Sequence, residues 1–103
     1  RRHEGIQYPA TSGTVYAESS IEVMSPAAAT TAAVLEAGTK SGQVLWVLNM
    51  SGNTVQFAAV ATSNVAGGVF ETIPSLSAAT FIWENEGATN RPAAWYRCRG
   101  TSL

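Results

Sequence analysis

The sequence predicts an all-β protein: a small antiparallel β-sandwich or jelly-roll-like module preceded by an extended N-terminal arm. Three observations lead there. Beyond Lys40, short runs of β-branched and aromatic residues recur between Gly-, Asn-, Ser- and Pro-rich turns. The first 32 residues carry large apolar side chains without any sustained run of them. The 103 residues suffice for one domain, which as a monomer buries only about 65% of its unfolded-chain surface.

Residues 1–32 read as the arm. Ile6, Tyr8, Val15, Tyr16, Ile21, Val23 and Met24 are scattered among Gly, Ser, Thr and Pro. Val15–Glu18 and Ile21–Met24 could each be a short strand, too short to stand alone. A segment of this kind lies along another surface, its own or a partner's; the plainer alternative is an unstructured terminus. Residues 33–103 form the β module.

Residues 25–38 are locally ambiguous. Ser25-Pro26, an Ala-rich run and Gly38 carry the marks of a helix, with Ser as N-cap, Pro in the first turn and Gly at the C-terminus. Thr30-Thr31 interrupt it, and the two large residues, Val34 and Leu35, are adjacent and define no helical face. The balance favours an extended segment ending in a strand around Ala32–Glu36.

Gln43–Met50 is apolar at both parities, as a strand buried on both sides is. Ser51-Gly52-Asn53 supplies turn chemistry. Thr54–Ala58 then alternates, with Val55 and Phe57 on one face, and the two runs are expected to pair as a hairpin. Gly67-Gly68 reads as a turn or bulge, and Ile73-Pro74 as an edge strand or the start of a turn. Ala79–Glu84 is the next strand, Asn85–Pro92 a polar loop, and Ala94–Arg99 the closing strand. The expected core or subunit-packing residues are Leu45, Trp46, Val47, Phe57, Phe81, Trp83, Trp95 and Tyr96.

Composition excludes several functions. Charged residues are 13% of the chain and the net charge is -1, with no Asp, one His and one Cys. That balance does not favour binding to a phosphate backbone, so no nucleic-acid partner is expected. No apolar run of about 18 residues is present to cross a membrane, so no membrane partner is expected either. One Cys with one His cannot build a zinc site, and a calcium loop lacks its Asp ligands. No cofactor is expected. Cys98 reads as a reduced, buried small hydrophobe. Arg1-Arg2-His3-Glu4 is polar and precedes no apolar stretch, so no secretory leader is expected. Asn49-Met50-Ser51 then matches a glycosylation acceptor by chance.

Catalysis finds little footing. His3 is the sole candidate base, and no Asp exists to orient it. Glu84 and Glu86 stand two apart and would point to one side, but they read as solvated loop carboxylates rather than a glycosidase pair. Neither phosphate-loop pattern is present around Gly67-Gly68. Arg91, Arg97 and Arg99 with Trp95 and Tyr96 form the one basic–aromatic cluster. Its expected use is stacking of Arg on Trp, or an ion pair with Glu84 or Glu86 across a subunit interface. The chain is not expected to be an enzyme.

The order of residues carries a resemblance. Gly42-Gln43-Val44-Leu45, Asn49 with Ser51-Gly52-Asn53-Thr54-Val55, Ser63-Asn64-Val65-Ala66-Gly67-Gly68, Leu76-Ser77-Ala78, Thr80-Phe81-Ile82-Trp83 and Ala94-Trp95-Tyr96 follow one another. This run resembles the small β modules of tailed-bacteriophage virion proteins: tail fibres, tailspikes, head fibres and capsid decoration proteins. It covers about residues 31–99 and leaves the arm unmatched, and each of its elements is also plain β-turn-β chemistry. Trp83-Glu84-Asn85-Glu86-Gly87 replaces the shorter Trp-Asp-Gly frequent in that family with a longer loop.

The resemblance implies a homotrimer at the virion surface. A decoration, or cement, protein would bind the outer surface of the major capsid protein shell and stabilise it. Ile6, Tyr8, Val15, Tyr16, Ile21 and Met24 would be the capsid contacts of the arm. Composition agrees independently, because Ala- and Thr-rich strands with few charges pack closely against their own copies. The alternative is a receptor- or glycan-binding module of a fibre, with Trp46, Trp83 or Trp95 as a sugar platform.

Overall fold

The computed structural model describes residues 6–9, 12–85 and 93–98. Its strands are β1 (Ile6–Gln7), β2 (Thr14–Val15), β3 (Ile21–Met24), β4 (Thr30–Leu35), β5 (Val44–Asn49), β6 (Val55–Phe57), β7 (Thr72–Ile73), β8 (Ser77–Glu84) and β9 (Ala94–Arg97). They form two sheets, β1-β3-β5-β8-β9 and β2-β4-β6-β7. The protein is predominantly β, as expected.

Both sheets are mixed rather than antiparallel. From β1 to β6 each successive strand lies in the other sheet. Sheet neighbours are therefore alternate strands of the sequence, and β1-β3-β5 and β2-β4-β6 run parallel. Parallel neighbours need a crossover between them; here the crossover is a strand of the opposite sheet. Antiparallel pairing enters with β7, β8 and β9.

The expected hairpin of Gln43–Met50 with Thr54–Ala58 does not form. β5 pairs with β3 and β8, and β6 with β4 and β7. Ser51–Asn53 is a corner between sheets, held by the buried side chain of Asn49. Its Nδ2 donates to the carbonyls of Asn53 (2.7 Å), Ile73 (3.1 Å) and Pro74 (3.2 Å). Its Oδ1 accepts from Ser51 N–H (3.1 Å) and Oγ (2.7 Å). Asn49 is fully buried, so the acceptor pattern at this position lies inside the fold.

The described part of residues 1–32 is built into the two sheets. It supplies β1, β2 and β3, and β4 begins at Thr30. Val15 and Met24 are fully buried. Short strands of this kind are stable because each borrows a ladder from a longer neighbour, β3 from β5 and β2 from β4. The ambiguous stretch from Ser25 to Gly38 is extended, and β4 runs from Thr30 to Leu35.

The core joins both sheets. Val15, Ala33, Leu35, Val55, Phe57 and Ile73 of the smaller sheet pack with Met24, Leu45, Val47, Phe81, Trp83 and Trp95 of the larger. Phe57 and Phe81 meet edge to face at 6.0 Å across the two sheets, and Trp83 meets Trp95 at 5.4 Å. Burying each such side chain contributes about 1.5–3 kcal/mol. The Trp95 indole N–H donates to the Glu36 carbonyl at 2.8 Å, so its polar edge is satisfied.

A four-residue helix, α1 (Val60–Ser63), and a 3₁₀ turn (Gly68–Phe70) link β6 to β7. The sequence reading assigned neither helical turn. The signal available was the Ala-rich run before Asn64, which closes α1 in the left-handed region at φ 65°.

Candidate functional site

Strand alternation builds an apolar outer face on the five-stranded sheet. Along β5, Leu45, Val47 and Asn49 are buried, leaving Val44, Trp46 and Leu48 outside. The ladder sets Ile21 opposite Trp46 and Val23 opposite Leu48 on the β3 side. On the β8 side it sets Ile82, Thr80 and Ala78 opposite the same three β5 residues. Ile6 continues the row beyond Val23, and Tyr96 continues it beyond Ile82.

These side chains are uncovered. Ile21 is 62% exposed and Trp46 51%, with Ile6, Val44, Leu48, Met50 and Ile82 also exposed. The charged residue among these outward strand positions is Glu84, at the far end of β8. Strands about 4.8 Å apart, roughly five residues long on average at about 3.4 Å each, outline a face on the order of 400 Å². Apolar patches of about 300–600 Å² are the largest a typical monomer shows, and they are often functional.

The structure redistributes the expected site residues. Leu45, Val47, Phe57, Phe81, Trp83 and Trp95 lie in the core. Trp46 does not; it is the exposed one of the three tryptophans, and Tyr96 is half-buried beside Ile82. The apolar character of β5 at both parities thus marks one buried face and one uncovered face, not burial on two sides. Of the supposed arm contacts, Val15 and Met24 are core, while Ile6, Tyr8, Tyr16 and Ile21 are exposed. Ile6 and Ile21 share the outer face with Trp46, which brings together residues the sequence reading divided between arm and module.

Tyr8 and Tyr16 line a cleft of about 260 Å³ with Ile6, Gln7, Pro9 and Thr14. The cleft lies between β1 and β2, the edge strands of the two sheets. Gln7 holds its walls together: its Oε1 accepts from Tyr16 N–H at 2.8 Å and its Nε2 donates to the Tyr16 carbonyl at 3.1 Å. Behind it, buried Glu22 accepts from Gln7 Nε2 (2.9 Å) and from the N–H groups of Glu18 and Ser19 (2.8 Å each). Glu36 accepts from Ala17 N–H at 2.8 Å. This carboxylate framework was not foreseen, since a Glu within a four-residue strand reads as solvated.

Of the basic–aromatic cluster, Arg97 is committed within the chain. Arg97 pairs with Glu71 at 3.2 Å and donates to the Thr72 carbonyl at 2.6 Å, tying β9 to β7. Glu84 is exposed, and Glu86, Arg91, Arg99 and His3 lie outside the described residues. Cys98 is exposed rather than buried, because its N–H donates to the Thr80 carbonyl at 2.8 Å and so continues the β9 register opposite Thr80, on the outer face. Among the described residues no group of three or more His, Cys, Asp or Glu could hold a metal ion. No helix among them is long and apolar enough to cross a membrane.

Two further exposed side chains escaped the sequence reading. Phe70 is 88% exposed on the 3₁₀ turn, and Leu76 is exposed with φ 56°. No protein-family model, curated protein or solved structure matches the chain.

Proposed function

We propose that this protein is a structural subunit that assembles with its own copies through the outer face of the five-stranded sheet. The observation that carries this reading is the nearly uncharged apolar surface centred on Ile21, Trp46 and Ile82. Edge-to-edge strand addition is a poor alternative route. β1, β2 and β7 are two residues long, and β9 is covered by the bridge of Trp95 with Asn64, Val65 and Ala66.

In this reading the two sheets form a small sandwich, three copies associate, and the trimer is a capsid decoration or cement protein of a tailed phage. It sits on the virion surface and stabilises the shell of major capsid protein, its attachment strengthened by trivalency. The resemblance of residues 31–99 to phage virion modules supports the virion setting, and the low charge supports close packing between copies. Sedimentation equilibrium over a hundredfold concentration range tests the assembly, with three times the chain mass expected. Binding to undecorated shells then tests the partner. A monomer at every concentration would overturn the reading.

The exposure of Trp46 favours one alternative, a glycan-binding module with this indole as the sugar platform. Saturable binding on a glycan array, lost in Trp46→Ala, would replace the structural reading.

A further inference from the structure

The two sheets share their lateral edges. β1 and β2 stand together at one end of the strand orders, joined by Gln7 and Tyr16. β9 and β7 stand together at the other, joined by Arg97, Glu71 and Thr72. The first edge carries the cleft. The second carries Phe70, two residues before β7.

Phe70 is a held projection. Gly68 N–H donates to Val65 O, Phe70 N–H to Gly67 O and Glu71 N–H to Gly68 O, at 3.0–3.1 Å. Gln56 Nε2 fixes the Val69 carbonyl at 3.0 Å. Gly67 and Gly68 have φ of 90° and 53°, and a Cβ on Gly68 would meet Val60 N at 2.9 Å. A ring presented on a turn so constrained loses little freedom when it docks, and buried aromatic anchors dominate interface energetics.

We propose that Phe70 of one copy docks in the cleft of the next copy, between Tyr8, Pro9 and Tyr16, in a head-to-tail contact. The inference rests on the self-association reading and adds its second surface. The occupant is another copy of this chain for three reasons. None of the described residues lining the cleft is charged, so they offer no counter-ion to a charged ligand. Phe70 and the cleft lie at opposite edges, so no chain places its Phe70 in its own cleft. Ile6 belongs both to the cleft and to the outer apolar face, which makes the two surfaces continuous.

Area points the same way. A face on the order of 400 Å² falls short of the roughly 800 Å² per partner of a stable interface, so the assembly needs a further contact, which the Phe70 edge of one copy and the cleft edge of the next supply. A head-to-tail contact is heterologous, and it closes into a ring when the rotation per copy allows.

The test is sedimentation equilibrium on the full chain and on Phe70→Asp, Tyr8→Asp and Trp46→Glu, with circular dichroism confirming folding. Phe70 and Tyr8 are 88% and 71% exposed, so both edge variants are expected to fold. Each should weaken association at least tenfold. Mixed one to one, they should form a dimer and nothing larger, because the intact Phe70 of one finds the intact cleft of the other. If Trp46→Glu dissociates the assembly while both edge variants leave it unchanged, self-association stands and the edge contact is overturned. If the mixture remains monomeric, the edge contact is overturned as well. A wild-type chain that is monomeric throughout removes both.

Discussion

Ile21 lies directly opposite Trp46 across the parallel β3–β5 ladder, and both side chains face out of the five-stranded sheet. Two large apolar residues in register on an uncovered sheet face stabilise little within the monomer. Their contribution comes when a second surface removes them from water, at about 25 cal/mol per Å² buried. Trp46→Glu places a charge in the middle of that surface without touching the core. The expected outcome is loss of the associated species in sedimentation equilibrium. The folded monomer should change in stability by about 0.5 kcal/mol or less in urea unfolding, as for other surface substitutions.

Gly38 packs against the face of Trp83. A Cβ at this position would lie 2.3 Å from Trp83 Cγ and 2.6 Å from Cδ2. Trp83 cannot retreat easily, because it is buried in the core against the Trp95 ring and its indole N–H donates to the Asn85 side chain. Gly38→Ala should therefore destabilise by about 1–3 kcal/mol through overpacking. Thermal unfolding followed by tryptophan fluorescence checks this, with a lower midpoint expected.

Much of this arrangement was legible in the residues, and the missing part has a physical cause. The Thr54–Ala58 alternation, the strand ending at Glu84 and the aromatic core of Phe57, Phe81, Trp83 and Trp95 follow from local period and side-chain type. Which sheet each strand enters does not, because hydrophobic period is the same in either. Ser51-Gly52-Asn53 has the chemistry of a hairpin turn, and only the burial of Asn49 reveals that the chain crosses between sheets there. Ile21–Met24 registered as a short strand, but Ile6 and Ile21 looked like parts of an arm because β1 and β3 are too short to stand alone: β1 needs the ladder of β3, and β3 that of β5. Phe70 and Leu76 gave no periodic signal at all, since they stand in a tight turn and at a left-handed position.

Asn49 should be one of the least replaceable polar residues in the chain. Both ends of its amide are used, and all of its partners are main-chain groups or the Ser51 hydroxyl. Asn49→Ala would leave buried carbonyls and an N–H without partners, at about 3 kcal/mol. Asn49→Asp keeps the size but replaces the donor with a carboxylate oxygen facing three carbonyls, and should cost more. For a domain of this length the alanine variant should lose roughly 10–20 °C in thermal midpoint. A midpoint unchanged within a few degrees would mean that the corner is held by packing alone.

Glu22 supplies the sharpest contrast between charge and shape. Its Oε1 accepts from Gln7 Nε2, and its Oε2 accepts from the N–H groups of Glu18 and Ser19. Gln7 cannot turn to present its oxygen, because both ends of its amide are already held by the Tyr16 main chain. Glu22→Gln is nearly isosteric, yet its NH₂ must face either Gln7 Nε2 or the two backbone donors, so donor meets donor whichever way the amide points. The loss of a charge-assisted acceptor at a residue only 2% exposed should cost about 1–3 kcal/mol. The effect should concentrate in the loop between β2 and β3. Hydrogen exchange reads this directly: the amides of Glu18 and Ser19 should lose protection in Glu22→Gln, while those of β5 and β8 keep theirs. Uniform loss across both sheets would instead mean that Glu22 supports the whole fold rather than the position of this loop.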